Sequence, residues 1–94
     1  MNIKLTILYD YYGCLLTDKQ QLYFEEYYFN NLSLQEISEN YNISRNAVYN
    51  SLKEIEKKLY YYEKKLCLYE KGKLIEKIIF NLPEDIKNRI KEFI

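Results

Sequence analysis

Arg45, Asn46, Tyr49, Asn50 and Lys53 recur at spacings that put them on one side of a helix, and they are the side chains that hold or read nucleic acid. Arginine can fork onto guanine and asparagine onto adenine in a major groove, and a tyrosine ring can stack on an unpaired base. Lysine neutralises phosphate. Other chemistries lack their parts. The chain has no histidine, and Cys14 and Cys67 lie far apart, outside any Cys-x-x-Cys or zinc-ligand spacing. No metal site is expected, and neither thiol has the base that nucleophilic catalysis wants. Both thiols are expected to be buried or inert, in a reducing, cytoplasmic setting. Gly13 and Gly72 are isolated, so no phosphate loop can be built. Adjacent carboxylates such as Glu25 and Glu26 fall inside amphipathic stretches, where a solvated face explains them better than acid and base chemistry. The expectation is therefore no enzyme and no cofactor.

The five residues need a helix presented by a second one, and Ser33 to Lys53 supplies that unit. Ser33 and Glu36 have the spacing of a capping box, which starts a helix near Leu34. Ile37 and Tyr41 face inward, and the small Ser38 between them permits a close crossing. Asn42 tolerates the left-handed conformation of a sharp turn, Ile43 fills the angle, and Ser44 caps the next helix. Ala47, Val48 and Leu52 then point in while the five candidate residues point out. Capping box, small residue, turn asparagine, apolar plug and second cap fall at consistent offsets: a helix-turn-helix. A capped αα-corner also occurs in proteins that bind no nucleic acid, so the fold alone does not assign the function.

Ninety-four residues make one domain with a modest core. Twelve tyrosines and many lysines and asparagines follow from A+T-rich codons as readily as from an adhesive surface, so their number is weak evidence of function. Net charge is zero but unevenly spread: minus four over residues 1–43, plus four over residues 44–73, and balanced over residues 74–94. The basic part begins at the presumptive recognition helix and suits a weak polyanion binder. No apolar run approaches eighteen residues and no signal peptide is present, so no membrane segment is expected.

The spacing predicts a first helix over residues 3–12 stopped by Gly13, then a second capped by Thr17 with Gln20 and ended by Asn30 and Asn31. It predicts one long helix over residues 44–70, unbroken until Gly72. Val48, Leu52, Ile55, Leu59, Tyr62, Leu66 and Tyr69 form an a/d seam through three heptads. Preceding helices cover its first half. Tyr62, Leu66 and Tyr69 are expected to meet either a folded-back tail or a second subunit, which makes a homodimer the expectation. A helix-turn-helix domain thus occupies residues 1–71, and a helical tail of residues 72–94 carries apolar stripes on either side of Pro83.

The segment Leu8 to Leu59, with YEKKLCLYEK running to Lys71, resembles the YlxM-like (p13-like) family of small bacterial proteins, LLTDKQ and ISRNAVY being the distinctive pieces. Their genes lie beside that of the signal recognition particle GTPase. More distantly, LSLQEISENYNISRNAVYNSLKEIEKKL resembles region four of bacterial sigma factors. Both resemblances imply an all-α, sigma-region-4-like helix-turn-helix, to which the residue spacing adds an elongated recognition helix and a C-terminal helical extension. The first implies a regulatory or accessory role in the signal recognition particle pathway. The second is incomplete, since Ala47 and Tyr49 stand where such recognition helices carry arginine. Three functions remain: an accessory protein holding the particle's RNA or protein, a regulator placing the outward helix in duplex DNA as a dimer, and a protein-interaction module without nucleic acid.

Overall fold

Side chains start the first four helices. Asn2 Oδ1 accepts from the Leu5 amide at 3.1 Å, Thr17 Oγ1 from Gln20 at 3.1 Å, Ser33 Oγ from Glu36 at 3.1 Å and Ser44 Oγ from Ala47 at 3.0 Å. Gln20 and Glu36 reach back to the amides of Thr17 and Ser33, closing both capping boxes. The computed structural model describes residues 2–94, all of whose regular structure is helical. The elements are α1 (Ile3–Tyr12), a 3-10 turn (Gly13–Leu15), α2 (Asp18–Tyr28), α3 (Leu34–Tyr41), α4 (Arg45–Leu66), α5 (Leu68–Ile78) and α6 (Glu84–Lys91). None of these helices is long and apolar enough to cross a membrane.

The longest helix, α4, is the spine. Val48, Leu52, Ile55 and Leu59 form its buried side, packed against Leu5, Leu8 and Tyr12 of α1, Tyr23 and Phe24 of α2 and Ile37 of α3. Between α3 and α4 the chain turns at Asn42 (φ 53°, ψ 47°), and the Ile43 amide donates to Ser38 O at 3.0 Å. Ser38 is buried and satisfies its hydroxyl on Gln35 O at 2.7 Å, leaving no bulk at the crossing.

Four tyrosines tie one helix to another through glutamates. Tyr9 donates to Glu25 (α1 to α2), Tyr12 to Glu63 (α1 to α4), Tyr28 to Glu56 (α2 to α4) and Tyr41 to Glu26 (α3 to α2). Part of the tyrosine excess is therefore structural, and the codon argument alone undervalues it.

Helix α1 ends at Gly13 as the spacing predicts, though for a reason of packing, and two other expectations need correction. Gly13 does not use glycine's conformational freedom, for its φ is −56°. It is required because a Cβ would stand 2.9 Å from the Tyr9 ring, which stacks on Phe24 at 4.3 Å and cannot withdraw. The helix beginning at Ser44 does not run to residue 70. It ends at Leu66, where Cys67 adopts φ 58° and redirects the chain into α5. Gly72 lies within α5 and is no breaker; it is buried where a Cβ would come 3.1 Å from the Tyr11 hydroxyl.

The buried and exposed parts of the α4 seam should respond differently to truncation. Leu59 is fully buried and Leu66 is 45% exposed. Leu59→Ala is expected to cost about 2–5 kcal/mol in urea unfolding and Leu66→Ala under about 1 kcal/mol. Gly13→Ala should cost about 1–3 kcal/mol by overpacking against Tyr9.

Candidate nucleic-acid interface

The turn at Asn42 and the Ser44 cap set the direction of α4, and burial of Val48 and Leu52 fixes its rotation. Together they leave Arg45, Asn46, Tyr49, Asn50 and Lys53 exposed on the outward side, so all five candidate residues share one surface. Tyr49 is 47% exposed, with Lys53 Nζ 5.5 Å from its ring centroid. Lys53 also lies 3.5 Å from Glu56, a pair whose lysine end is exposed and whose half-buried glutamate also holds Tyr28, so the lysine yields readily to a phosphate.

The surface continues past the motif. Lys57, Tyr60, Tyr61 and Lys64 border a shallow depression with Lys53 and Glu56, and Tyr60 and Tyr61 are 42% and 56% exposed. Lys4 of α1 stands 5.9 Å from the Tyr60 ring centroid, and Lys65 stands 5.7 Å from that of Tyr61. Two acids lie on this side: Glu56, occupied by Lys53 and by the Tyr28 hydroxyl, and the exposed Glu54 between Asn50 and Lys57. Sequence reasoning confined the site to the motif and missed these residues. Their signal was the alternation of lysine and tyrosine on the side of α4 opposite the seam.

The other predicted contact set separates. Tyr62 packs 6.0 Å from Tyr12 and Tyr69 packs 6.2 Å from Tyr11, ring centroid to centroid, whereas Leu66 stays exposed. Rings of α1 cover the two tyrosines, a cover the seam pattern had not suggested. Between them Glu63 builds the α4–α5 corner. Its carboxylate accepts from the Tyr12 hydroxyl and from the amides of Tyr69 and Glu70, each at 3.2 Å, while Tyr12 Oη accepts from the Leu68 amide at 3.0 Å. Glu63 thus serves the first turn of α5 where Cys67 offers no side-chain cap. Burial pushes the Glu63 carboxyl up, but these hydrogen bonds outweigh it and hold the group below its ordinary value. Burial, reinforced by the bond to Glu63, pushes the Tyr12 hydroxyl up to about 12. Neither cysteine is fully buried: Cys14 is exposed on the 3-10 turn, and Cys67 is half-buried at the corner. Among the described residues no group of three or more acids, cysteines or histidines is placed to hold a metal.

Residues 1–93 match the family described as "Putative helix-turn-helix protein, YlxM / p13 like". The chain is 52% identical over 82 residues to a UPF0122 protein of Caldanaerobacter subterraneus subsp. tengcongensis, covering 87% of this chain and 70% of that protein. It is 54% identical over 67 residues to one of Thermoanaerobacter, covering 71% and 57% of the two. It is 43% identical over 86 residues to one of Lactococcus lactis subsp. cremoris, covering 87% and 78%. The aligned part is little more than half of the Thermoanaerobacter protein's own length.

The corner gives stability a defined pH dependence. A raised tyrosine pKa contributes stability that is intact below the ordinary value of 10.0 and lost as pH rises through about 12, for Tyr12 and likewise for Tyr9. The depressed Glu63 contributes above its ordinary 4.5 and ceases to as pH falls through its lower folded value. Urea midpoints are expected to fall between pH 10 and 12, and Tyr12→Phe should shrink that fall. At pH 7 the same variant should cost about 1–3 kcal/mol, since it leaves the Leu68 amide and Glu63 short of a partner.

Proposed function

This chain belongs to the YlxM/p13-like helix-turn-helix family, and from that premise we propose that it is a regulatory or accessory protein of the signal recognition particle pathway that holds RNA along the outward side of α4. The observation that carries the RNA reading is the run of cations and exposed rings from Arg45 to Lys64, with Tyr49, Tyr60 and Tyr61 interleaved among lysines. Cations that track a backbone, with rings on which bases stack, are what a single-stranded or looped polynucleotide needs. A duplex uses this surface less well. The run covers twenty residues, nineteen steps of 1.5 Å or about 29 Å, and a straight helix of that length leaves a curving major groove before its far end. Glu36 and Glu39 of α3 lie exposed in the motif, where a duplex would bring phosphates close. Ala47 and Tyr49 also remove two arginines of a sigma-type reading head. Placement in the particle pathway rests on the family's gene neighbourhood.

A second reading, a DNA-binding regulator, keeps one specific support. Arg45, Asn46 and Asn50 occupy the first two turns of the recognition helix, where base contacts are made.

Titration of the particle's RNA, the assembled particle and random duplex separates the two. The proposal expects RNA or particle to bind tighter than duplex, with Tyr49→Ala costing about 1–3 kcal/mol on RNA. Arg45→Ala and Lys53→Ala should each flatten the plot of log affinity against log salt by about 0.7 on single strands, against about 0.9 on duplex. Preference for one duplex sequence, with Asn50→Ala costing about 1–3 kcal/mol there and little elsewhere, would replace this reading with the transcriptional one.

A further inference from the structure

Of the six residues that border the depression on α4, five are lysines or tyrosines and Glu56 is an acid, whose two oxygens are held unequally. Oε1 accepts from the Tyr28 hydroxyl at 3.2 Å, which anchors the carboxylate to α2. Burial, and after it the charge of Glu56, pushes that hydroxyl well above its ordinary value, so it remains a donor through the physiological range. Oε2 meets Lys53 Nζ at 3.5 Å, long for a charge-assisted hydrogen bond. Because Lys53 borders the depression too, Oε2 is the oxygen on that side. Tyr60 follows Glu56 by four residues, and a helical side chain lies over the turn before its own Cα, so the half-exposed Tyr60 ring leans toward the carboxylate. Lys4 of α1 adds a further cation beside that ring. An anchored acceptor beside a stacking ring, with lysines around both, is more than a phosphate track requires.

We propose that Glu56 reads a guanine base of the single strand held along α4, accepting from its Watson–Crick edge while the base stacks on Tyr60 and the flanking phosphates take Lys53, Lys57 and Lys64. The inference rests on the RNA reading above and adds the base that the site prefers. Rings select unpaired bases without choosing among them. A carboxylate chooses, since it accepts and cannot donate. Guanine offers N1–H and N2–H side by side on that edge. Adenine and cytosine each set one amino group next to a ring nitrogen whose lone pair faces the carboxylate, and uracil sets its N3–H between two carbonyl oxygens. Desolvation gives the choice its weight. When a phosphate draws Lys53 away, Oε2 of the half-buried Glu56 loses its cation, and an acceptor left short of a donor away from water is costly. Guanine replaces that donor, whereas the other bases do so against lone-pair repulsion. Phosphate capture by Lys53 and base capture by Glu56 therefore favour each other.

Fluorescence anisotropy at low salt tests this on the intact chain, with labelled decauridylate that is unmodified or carries one central guanosine, inosine, adenosine or cytidine. The guanosine strand should bind about tenfold tighter than oligouridine, a gain of the size that a well-paired base edge supplies. Inosine, which lacks the N2 amino group, should fall between. Glu56→Gln should abolish the preference and leave oligouridine affinity unchanged or higher, because it removes an anion from among the lysines. A loss confined to the guanosine strand separates base reading from a damaged fold, which would weaken both. Tyr28→Phe frees the carboxylate without removing it and should shrink the preference. Free guanosine monophosphate at the strand's own concentration should not displace it, since one phosphate engages fewer of the lysines; displacement would overturn the assignment to a strand. Equal binding of all five strands, a preference for adenosine or cytidine, or a guanosine preference that survives Glu56→Gln overturns guanine reading and leaves RNA binding standing. No binding to any strand overturns both.

Discussion

Everything in this molecule is arranged around the need to cover one apolar arc of α4. Val48, Leu52, Ile55 and Leu59 are at most 5% exposed, each contributing about 1.5–3 kcal/mol by burial, and they demand neighbours along about three turns of helix. The three preceding helices answer that demand. Once they do, the rotation of α4 has no freedom left, and the residues on the opposite side are committed to solvent. The candidate interface is in this sense a by-product of core packing. Arg45 and Lys53 point outward because Val48 and Leu52 must point inward.

Hydrophobic contact sets which faces meet but allows helices to slide, and the tyrosine–glutamate bonds remove that latitude. Each joins two different helices, so the pairs Tyr9–Glu25, Tyr12–Glu63, Tyr28–Glu56 and Tyr41–Glu26 fix register among α1 to α4 as caps fix where helices begin. A tyrosine suits this use, since its ring contributes apolar area while its hydroxyl reaches a carboxylate at the rim. The pair at Glu63 does more. It stabilises a left-handed Cys67 that has no glycine to relieve it, and so converts what would have been a continuing helix into a corner.

Local rules made the motif legible. Capping boxes at Thr17 and Ser33, the cap at Ser44 and the left-handed Asn42 depend on residues three or four apart, and each stands where the spacing puts it. The all-α class and the outward placement of the five α4 residues follow from the same short-range pattern. What escaped were features decided by distant partners. No window around Cys67 reveals that Tyr12, 55 positions earlier, meets Glu63 there, nor that Tyr9 needs a glycine at position 13. Gly72 misled for the same reason, as a close approach to Tyr11 and a helix stop look alike in sequence. The outward residues beyond Lys53 were visible in principle but lay outside the motif's borders.

A zero net charge weighs against a polyanion only as a sum, and the sum conceals how the charges are employed. Glu25, Glu26, Glu56 and Glu63 are drawn between helices as acceptors for tyrosine hydroxyls, and Glu36 closes a capping box. Anions consumed by architecture cluster near the packed surfaces, whereas Arg45, Lys53, Lys57 and Lys64 remain on the outward side of α4 against one exposed acid there, Glu54. Because exposed charges are screened beyond about 8–10 Å, a ligand on that side responds to the local cations more than to the molecular total. Segregation of this kind also bounds what the surface can achieve. Four cations neutralising four single-strand phosphates give a salt slope near −3, a modest electrostatic hold that leaves discrimination to the rings of Tyr49, Tyr60 and Tyr61.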